Sequence, residues 1–405
     1  MIMASVKVVF CVLLTFLIQN GETIDIHTLK LANVMYRHGD RGPVQIFKTD
    51  PNQADSWFQG EGYLTELGME QHYRLGKYLR NRYNGFLSES YLLSEFSIRS
   101  SNIDRCLMSA YCNLAALYPP KGRQVWNKKL PWQPIPVHTI PEPLDNMLAI
   151  GKPCAKYDQL YQKSLKSPAV VKEETDNKEF YKFVSEKSGV PHERIDKVWS
   201  IGDTLYCEKV HNKTWPSWVN ETVYNKLRDL ETWGFDLLFK GPIESRLKGG
   251  PVLKDMIENM NQKIAGKSTK KMMVYVAHDT TVTALLTALG VFNQQAPQYT
   301  ATVMLDLHQE NNKYYVQLYY KNDTWPEPEN VMTLTLPGCE EKCPYNKFIE
   351  LTKDKIPGDW DEECKIAPTA TTPAPTAPTS SSGIIKLNMV WMMMMLTLVV
   401  GVRWL

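Results

Sequence analysis

The chain carries no concentrated charge. Its formal net charge is +2 and no long basic run interrupts it, which excludes the cationic face that a nucleic-acid partner requires. No cluster of Cys and His has zinc-ligand spacing, so no metal and no cofactor is expected. No segment repeats, and nothing between residues 24 and 366 has the composition of a disordered tract. Long apolar runs are missing as well: Val8 to Ile18 and Met389 to Val402 are both short of the ~20 residues that a comfortable membrane span takes. With the ends set aside, about 340 of the 405 residues remain, enough for one large or two ordinary domains with a sizeable core.

What is present at the ends concerns routing. Lys7, the apolar Val8 to Ile18 and the polar Gln19 to Thr23 follow the order of a secretory signal peptide, assigned to residues 1–23. Residues 367–383, rich in Pro, Thr, Ala and Ser, cannot build a core and read as an O-glycosylated stalk. Residues 384–405 form a hydrophobic membrane-anchor segment. With Ser380 to Ser382 before it, it fits a glycolipid-anchor signal; a single spanning helix, which places Lys386 near an interface, is the second reading. The expected location is the secretory pathway, at the cell surface or secreted. Asn212, Asn220 and Asn322 each head an Asn-x-Thr sequon and are expected to carry surface glycans. Of the eight cysteines, Cys11 leaves with the signal peptide, and the odd remainder requires at least one free or interchain thiol.

The chemistry is concentrated at three strand ends. The apolar Leu29 to Tyr36 runs into Arg37-His38-Gly39-Asp40-Arg41-Gly42-Pro43, an imidazole set between two guanidiniums in a turn. A neutral ring nitrogen can attack phosphorus while two fixed cations hold the equatorial oxygens. Gly39 is read as letting the backbone approach a ligand, and Pro43 as keeping the loop out of a helix. Alone, such a turn is more often solvated than catalytic. A second strand, Met272 to Ala277, ends in His278-Asp279 before the helical Thr280 to Leu289, although an acid there is also ordinary helix capping. A third, Phe96 to Arg99, leads through Ser100 to Arg105 into the helical Cys106 to Leu117, so that either Arg99 or Arg105 can supply a further cation. In open α/β sheets ligands sit outside the carboxyl ends of strands, so all three ends point at one crevice.

These strands divide the chain into a catalytic core, 24–135 and 252–366, and a helical cap insertion, 136–251, in which Val219, Val223, Leu227 and Leu230 recur near helical spacing. Gly249-Gly250-Pro251 breaks the chain before the core resumes. The cap is expected to shape the leaving-group pocket. Trp199 is either a wall of that pocket or a core residue, with the core reading preferred.

The first motif resembles the Arg-His-Gly-x-Arg-x-Pro signature of the histidine acid phosphatases, and the resemblance runs from about Ile24 to Cys364. Gly68 to Tyr73, Trp132 to Thr139 and Leu336 to Cys339 are similar to blocks of the animal prostatic and lysosomal members. The resemblance implies an α/β fold with a central mixed sheet and flanking helices, phosphoglycerate mutase-like, with an inserted, mostly helical cap. It implies hydrolysis of phosphomonoesters through a phosphohistidine. His38 would be the nucleophile, Asp279 the proton donor, and Arg37, Arg41, Arg105 and His278 the phosphate ligands. A protonated Asp among cations places the working pH in the acid range. Arg99 is left a structural role, Asp40 is read as orienting the neighbouring arginines, and His72 and His138 as packing residues. The resemblance also implies a homodimer and the bridges Cys154–Cys364 and Cys339–Cys343. Cys207 matches a bridged position whose partner falls near Thr302, so that bridge is missing. Cys106, where the family usually has Thr, and Cys112 lie about 9 Å of helix rise apart, beyond the roughly 7 Å a bridge tolerates. One of them pairing with Cys207 is therefore the expectation to test. A lysosomal destination is disfavoured, since no cytoplasmic tail follows the apolar end. A more selective phytase, phospholipid or phosphoprotein phosphatase, and a non-catalytic surface protein on the same fold, are the alternatives.

Overall fold

The computed structural model describes residues 24–191, 194–326 and 330–366. The expected signal peptide, stalk and anchor segment lie outside the described residues.

Strand β1 (Leu29–Arg37) is buried almost throughout because it is central. On one side it pairs in parallel with β3 (Met272–Ala277), and on the other antiparallel with β4 (Thr302–Glu310). A strand covered on both faces reads as an unbroken apolar run, which is why Leu29 to Tyr36 shows no polar alternation. Leu31 and Met35 enter one core; Ala32, Val34 and Tyr36 enter the other. A register shift between Leu29 and Leu31 turns Leu29 to the second face. With β2 (Phe96–Ser100), β5 (Lys313–Lys321) and β6 (Met332–Leu334) the sheet order is β2-β3-β1-β4-β5-β6, and the short β7 (Cys343–Pro344) pairs with β5. The sheet is mixed: β2, β3 and β1 run parallel, the rest antiparallel.

Helices α1 (Glu66–Arg82) and α2 (Asp104–Leu117) bury Leu75, Leu79, Ala110 and Leu114 against one face of the sheet. Between β2 and β3 the described chain holds no named strand. It runs through α3 (Ala155–Ser164), α4 (Pro168–Asp176), α5 (Lys178–Ser188), α6 (Ile195–Val210), α7 (Glu221–Phe239) and α8 (Pro242–Lys248). Val198, Ile201, Leu205, Leu227 and Leu230 build a separate core there, joined by Phe47 from the loop after β1. Helix α9 (Gly250–Ile264), with Pro251 in its first turn, starts two residues before the expected boundary at 252. It covers the other sheet face together with α10 (Asp279–Leu289). Two more helices, α11 (Tyr345–Thr352) and α12 (Trp360–Glu363), close the described chain.

Disulfides join Cys154 to Cys364 and Cys339 to Cys343. The first ties the start of α3 to the end of α12 across 210 residues. Cys106, Cys112 and Cys207 are free thiols, which corrects the expected pairing with Cys207. Cys106 Sγ lies 3.4 Å from the Ala277 carbonyl, whereas Cys207 Sγ lies 3.6 Å from Arg41 Nη1 and 3.7 Å from Tyr299 Oη. The two sulfurs thus sit in different packing environments. Asn212 and Asn220 are exposed; Asn322 is half-buried, its Oδ1 accepting from Gln298 N at 2.7 Å. Among the described residues no helix is long and apolar enough to cross a membrane.

Candidate active site

Three neighbouring strands deliver the site. At the end of β1, His38 N donates to the Ala277 carbonyl at 3.0 Å; at the end of β2, Ser101 N donates to the Val276 carbonyl at 2.9 Å. These bonds carry the parallel ladder one residue past each strand and set His38, His278 and Ser101 side by side. The His38 and His278 rings lie 5.5 Å apart, edge to face. His38, Arg41, Arg105, His278 and Asp279 line one cavity of about 410 Å³. Arg37 lies behind it, its Nη2 paired with Asp279 Oδ2 at 2.7 Å. All six expected site residues are therefore brought together.

His38 is 1% exposed, and its Nδ1 lies 2.8 Å from the carbonyl oxygen of Gly39. A carbonyl only accepts, so Nδ1 carries the hydrogen and Nε2 the lone pair. Burial, then the charges of Arg105, Arg37, His278 and Arg41, hold this imidazole well below its ordinary pKa. Both effects favour the neutral ring.

Each arginine is held differently. Arg37 Nη1 donates to the Pro297 carbonyl at 2.7 Å, and its guanidinium stacks 4.4 Å from the Tyr299 ring centroid. Arg41 makes a two-pronged pair with Asp203, at 2.9 and 3.0 Å. Arg105, at the start of α2, faces His278 Nδ1 at 3.4 Å, and no carboxylate lies within ion-pair distance of it among the described residues. Since Arg105 only donates, His278 Nδ1 accepts, and His278 Nε2–H is directed at Ser101 Oγ, 2.9 Å away. Asp279 opens α10 and accepts from Thr280 N at 2.7 Å. Burial would raise its carboxyl pKa, but Arg37, Arg41 and His278 outweigh burial and lower it.

Several readings change. Gly39 is needed for packing: a Cβ there would meet Gly68 O on α1 at 2.5 Å. Asp40 does not orient the arginines. Its carboxylate accepts from His211 Nε2 at 2.6 Å and from the Thr65 hydroxyl, because its side chain turns towards α1 and the end of α6. Trp199, preferred as a core residue, is 41% exposed and forms part of the cavity wall. Arg99 is structural, its Nη2 donating at 2.9 Å to Asp145, which also caps Met147, Leu148 and Ala149. His72 is fully buried against Tyr36, and His138 forms a bridge with Arg99. Asp203 and Glu231, both in the cavity wall, were missed. Asp203 follows Ile201-Gly202 inside an otherwise unremarkable helical pattern, and no local signal ties it to Arg41, 162 residues earlier.

A profile of the histidine phosphatase superfamily (branch 2) matches residues 28–321. The prostatic acid phosphatase of Homo sapiens is 42% identical over 366 residues, covering 89% of this chain and 94% of that protein. The lysosomal acid phosphatase of Homo sapiens is 38% identical over 349 residues, covering 84% and 81%. Among solved structures, a Hafnia alvei phytase in complex with myo-inositol hexakis sulphate aligns with a TM-score of 0.64 at 16% identity, over 84% of this chain and 99% of that one. That likeness speaks for the fold alone, whereas the profile and the two acid phosphatases agree over the whole span that carries the three strand ends: the chain belongs to the histidine phosphatase superfamily, branch 2.

Proposed function

We propose that the crevice hydrolyses phosphomonoesters in the acid range through a phosphohistidine on His38, with Asp279 as proton donor. The observation that carries this reading is the orientation of His38: its Nδ1–H is directed to the Gly39 carbonyl, which leaves the lone pair on Nε2, and burial among cations disfavours the charged ring. Nε2 attacks phosphorus in line. The N–P bond forms as the ester P–O bond breaks, and the departing oxygen takes the proton of the Asp279 carboxyl. In the second half, the Asp279 carboxylate removes a proton from water as that water attacks phosphorus. The N–P bond then breaks back to Nε2, inorganic phosphate leaves, and both groups return to their starting states.

Arg37, Arg41 and Arg105 are assigned to the phosphoryl oxygens, where fixed donors stabilise charge as it develops; His278 joins them once Arg105 turns to the phosphate and leaves its Nδ1, the ring then presenting an Nδ1–H to a phosphoryl oxygen. Arg37 is paired with Asp279 in the structure. An incoming phosphate draws that guanidinium to itself and frees the carboxyl to protonate, which acid favours. Residues 136–251 are assigned the role of a cap, supported by the helices of that stretch and by Trp199 in the cavity wall. Two disulfides fit an oxidising, secretory environment. Glycans at Asn212, Asn220 and Asn322, a membrane anchor within 384–405 and a homodimer belong to the same proposal.

The test is hydrolysis of a generic aryl phosphate from acid to neutral pH, beside His38→Ala. Acid-range turnover that drops to background in the variant is expected. Turnover retained by His38→Ala, or none by the folded wild type, overturns the reading.

A further inference from the structure

One face of α6 grips the loop that follows His38. Asp203, Thr204, Cys207, Glu208 and, at the helix end, His211 fall within an arc of about 140° at 3.6 residues per turn, and each touches a residue between 40 and 52. Asp203 accepts from both Nη atoms of Arg41 at 2.9 and 3.0 Å. Thr204 Oγ1 donates to the Gln45 carbonyl at 2.7 Å. Cys207 Sγ lies 3.6 Å from Arg41 Nη1. Glu208 Oε1 accepts from Asn52 Nδ2 at 2.6 Å, and His211 Nε2 lies 2.6 Å from Asp40 Oδ2. A helix attached only to keep the cap in place would not need a polar contact at every turn of this face.

The Asp203 pair is the one that reaches the phosphate site. Both side chains are buried, 6% exposed for Arg41 and 7% for Asp203. A two-pronged pair fixes the guanidinium plane as well as its position. It occupies the Nη1–Nη2 edge of Arg41. Nε has no partner among the described residues. The Nε–H and the second Nη2 hydrogen are thus the Arg41 donors left uncommitted, and a phosphoryl group that takes them must meet the guanidinium in the plane that Asp203 fixes. We infer that Asp203 is a positioning residue for Arg41, and that this face of α6 sets the geometry of the phosphate-binding loop. Beyond any contact with the leaving group, the cap helices then govern phosphate orientation. The inference rests on the phosphatase reading above.

A double-mutant cycle in the full chain tests it, using Asp203→Asn, Arg41→Lys and the pair, with kcat–pH profiles and thermal midpoints for each. Asp203→Asn is expected to lower kcat about 10²-fold, as a displaced catalytic group does. It should also move the alkaline limb of kcat to lower pH, because a lost negative charge near Asp279 lowers that carboxyl's pKa. If Asp203 acts through Arg41, the double variant is no slower than the slower single. Should Asp203→Asn not fold, Asp203→Glu replaces it in the cycle; it keeps the charge on a longer arm, so a fall in kcat with an unmoved limb is expected. Losses that multiply in the double variant, or a folded Asp203 variant with wild-type kcat, overturn the inference. His38→Ala keeps the two questions apart: if that variant still turns over, the phosphatase reading has failed whatever the cycle shows.

Discussion

His38 and His278 sit 5.5 Å apart, and their neighbours give the two rings opposite tautomers. A carbonyl at Nδ1 leaves His38 with its lone pair on Nε2; a guanidinium at Nδ1 leaves His278 with its hydrogen on Nε2. Burial, followed by Arg105, pushes His278 down to about 3, so it too is neutral in moderate acid. The cations that lower the pKa of the imidazoles also lower that of Asp279, so under the proposed mechanism the first effect is expected to govern the acid limb and the second the alkaline limb. Asp279→Asn removes the proposed proton donor and leaves the proposed nucleophile. The first release of alcohol, measured before steady state, is expected to slow about 10²–10⁴-fold for an alkyl phosphate. It should slow much less for an activated aryl phosphate, whose leaving oxygen needs no proton. Equal losses on the two substrates would remove Asp279 from the donor role.

At the scale of elements, the site depends on how closely α1 approaches the turn after β1. A Cβ on Gly68 would meet the Asp40 carbonyl oxygen at 2.2 Å, and one on Gly39 would meet the Gly68 carbonyl oxygen at 2.5 Å. Both clashes are with backbone, which cannot swing aside. Gly68→Ala should therefore cost about 1–3 kcal/mol, the usual range for overpacking, and should lower kcat through the displaced Asp40–Arg41 segment. Denaturant unfolding and turnover check the two halves; a variant unchanged in both would show that the turn yields. This contact also marks the limit of what sequence conveys. The strands ending at Arg37 and Ala277 were legible because central strands leave long apolar runs, and charged residues at their carboxyl ends stand out against them. Arg105 was chosen over Arg99 by the family block, and the Arg99–Asp145 pair gives the physical reason. The approach of Gly39 to Gly68, the Asp203–Arg41 pair and the His211–Asp40 contact join residues 29 to 171 positions apart. No local pattern encodes such pairs, so the half of the site built by α1 and α6 was not readable.

Across the whole molecule, buried titratable groups tie stability to pH in two opposing ways. Burial, outweighing Arg82, pushes Asp306 up to about 7; burial, outweighing Arg228, takes Glu231 to about 7; and burial with the neighbouring Asp50 takes Glu208 to about 8. The unfolded chain releases these protons near pH ~4. Between about 4 and 8 the folded state therefore binds more protons, and this contribution, complete in acid, is lost as pH rises through 7 to 8. The buried histidines act the other way. Burial lowers His72 and His278 to about 3 and His308 to about 4, so their contribution is complete above ~6.5 and is lost as pH falls towards those values. Between about 4 and 6.5 the two sets oppose each other, and above about 6.5 only the carboxyls remain. The thermal midpoint of the wild type is thus expected to fall as pH rises from about 6.5 to 8.5. Glu208 is raised highest of the three carboxyls, and Glu208→Gln keeps an acceptor for Asn52 Nδ2 while removing the titration. The variant should flatten the fall over that window and change little in acid. A wild-type midpoint that rises with pH there, or an undiminished slope in Glu208→Gln, would show that these carboxyls do not tune the fold to acid.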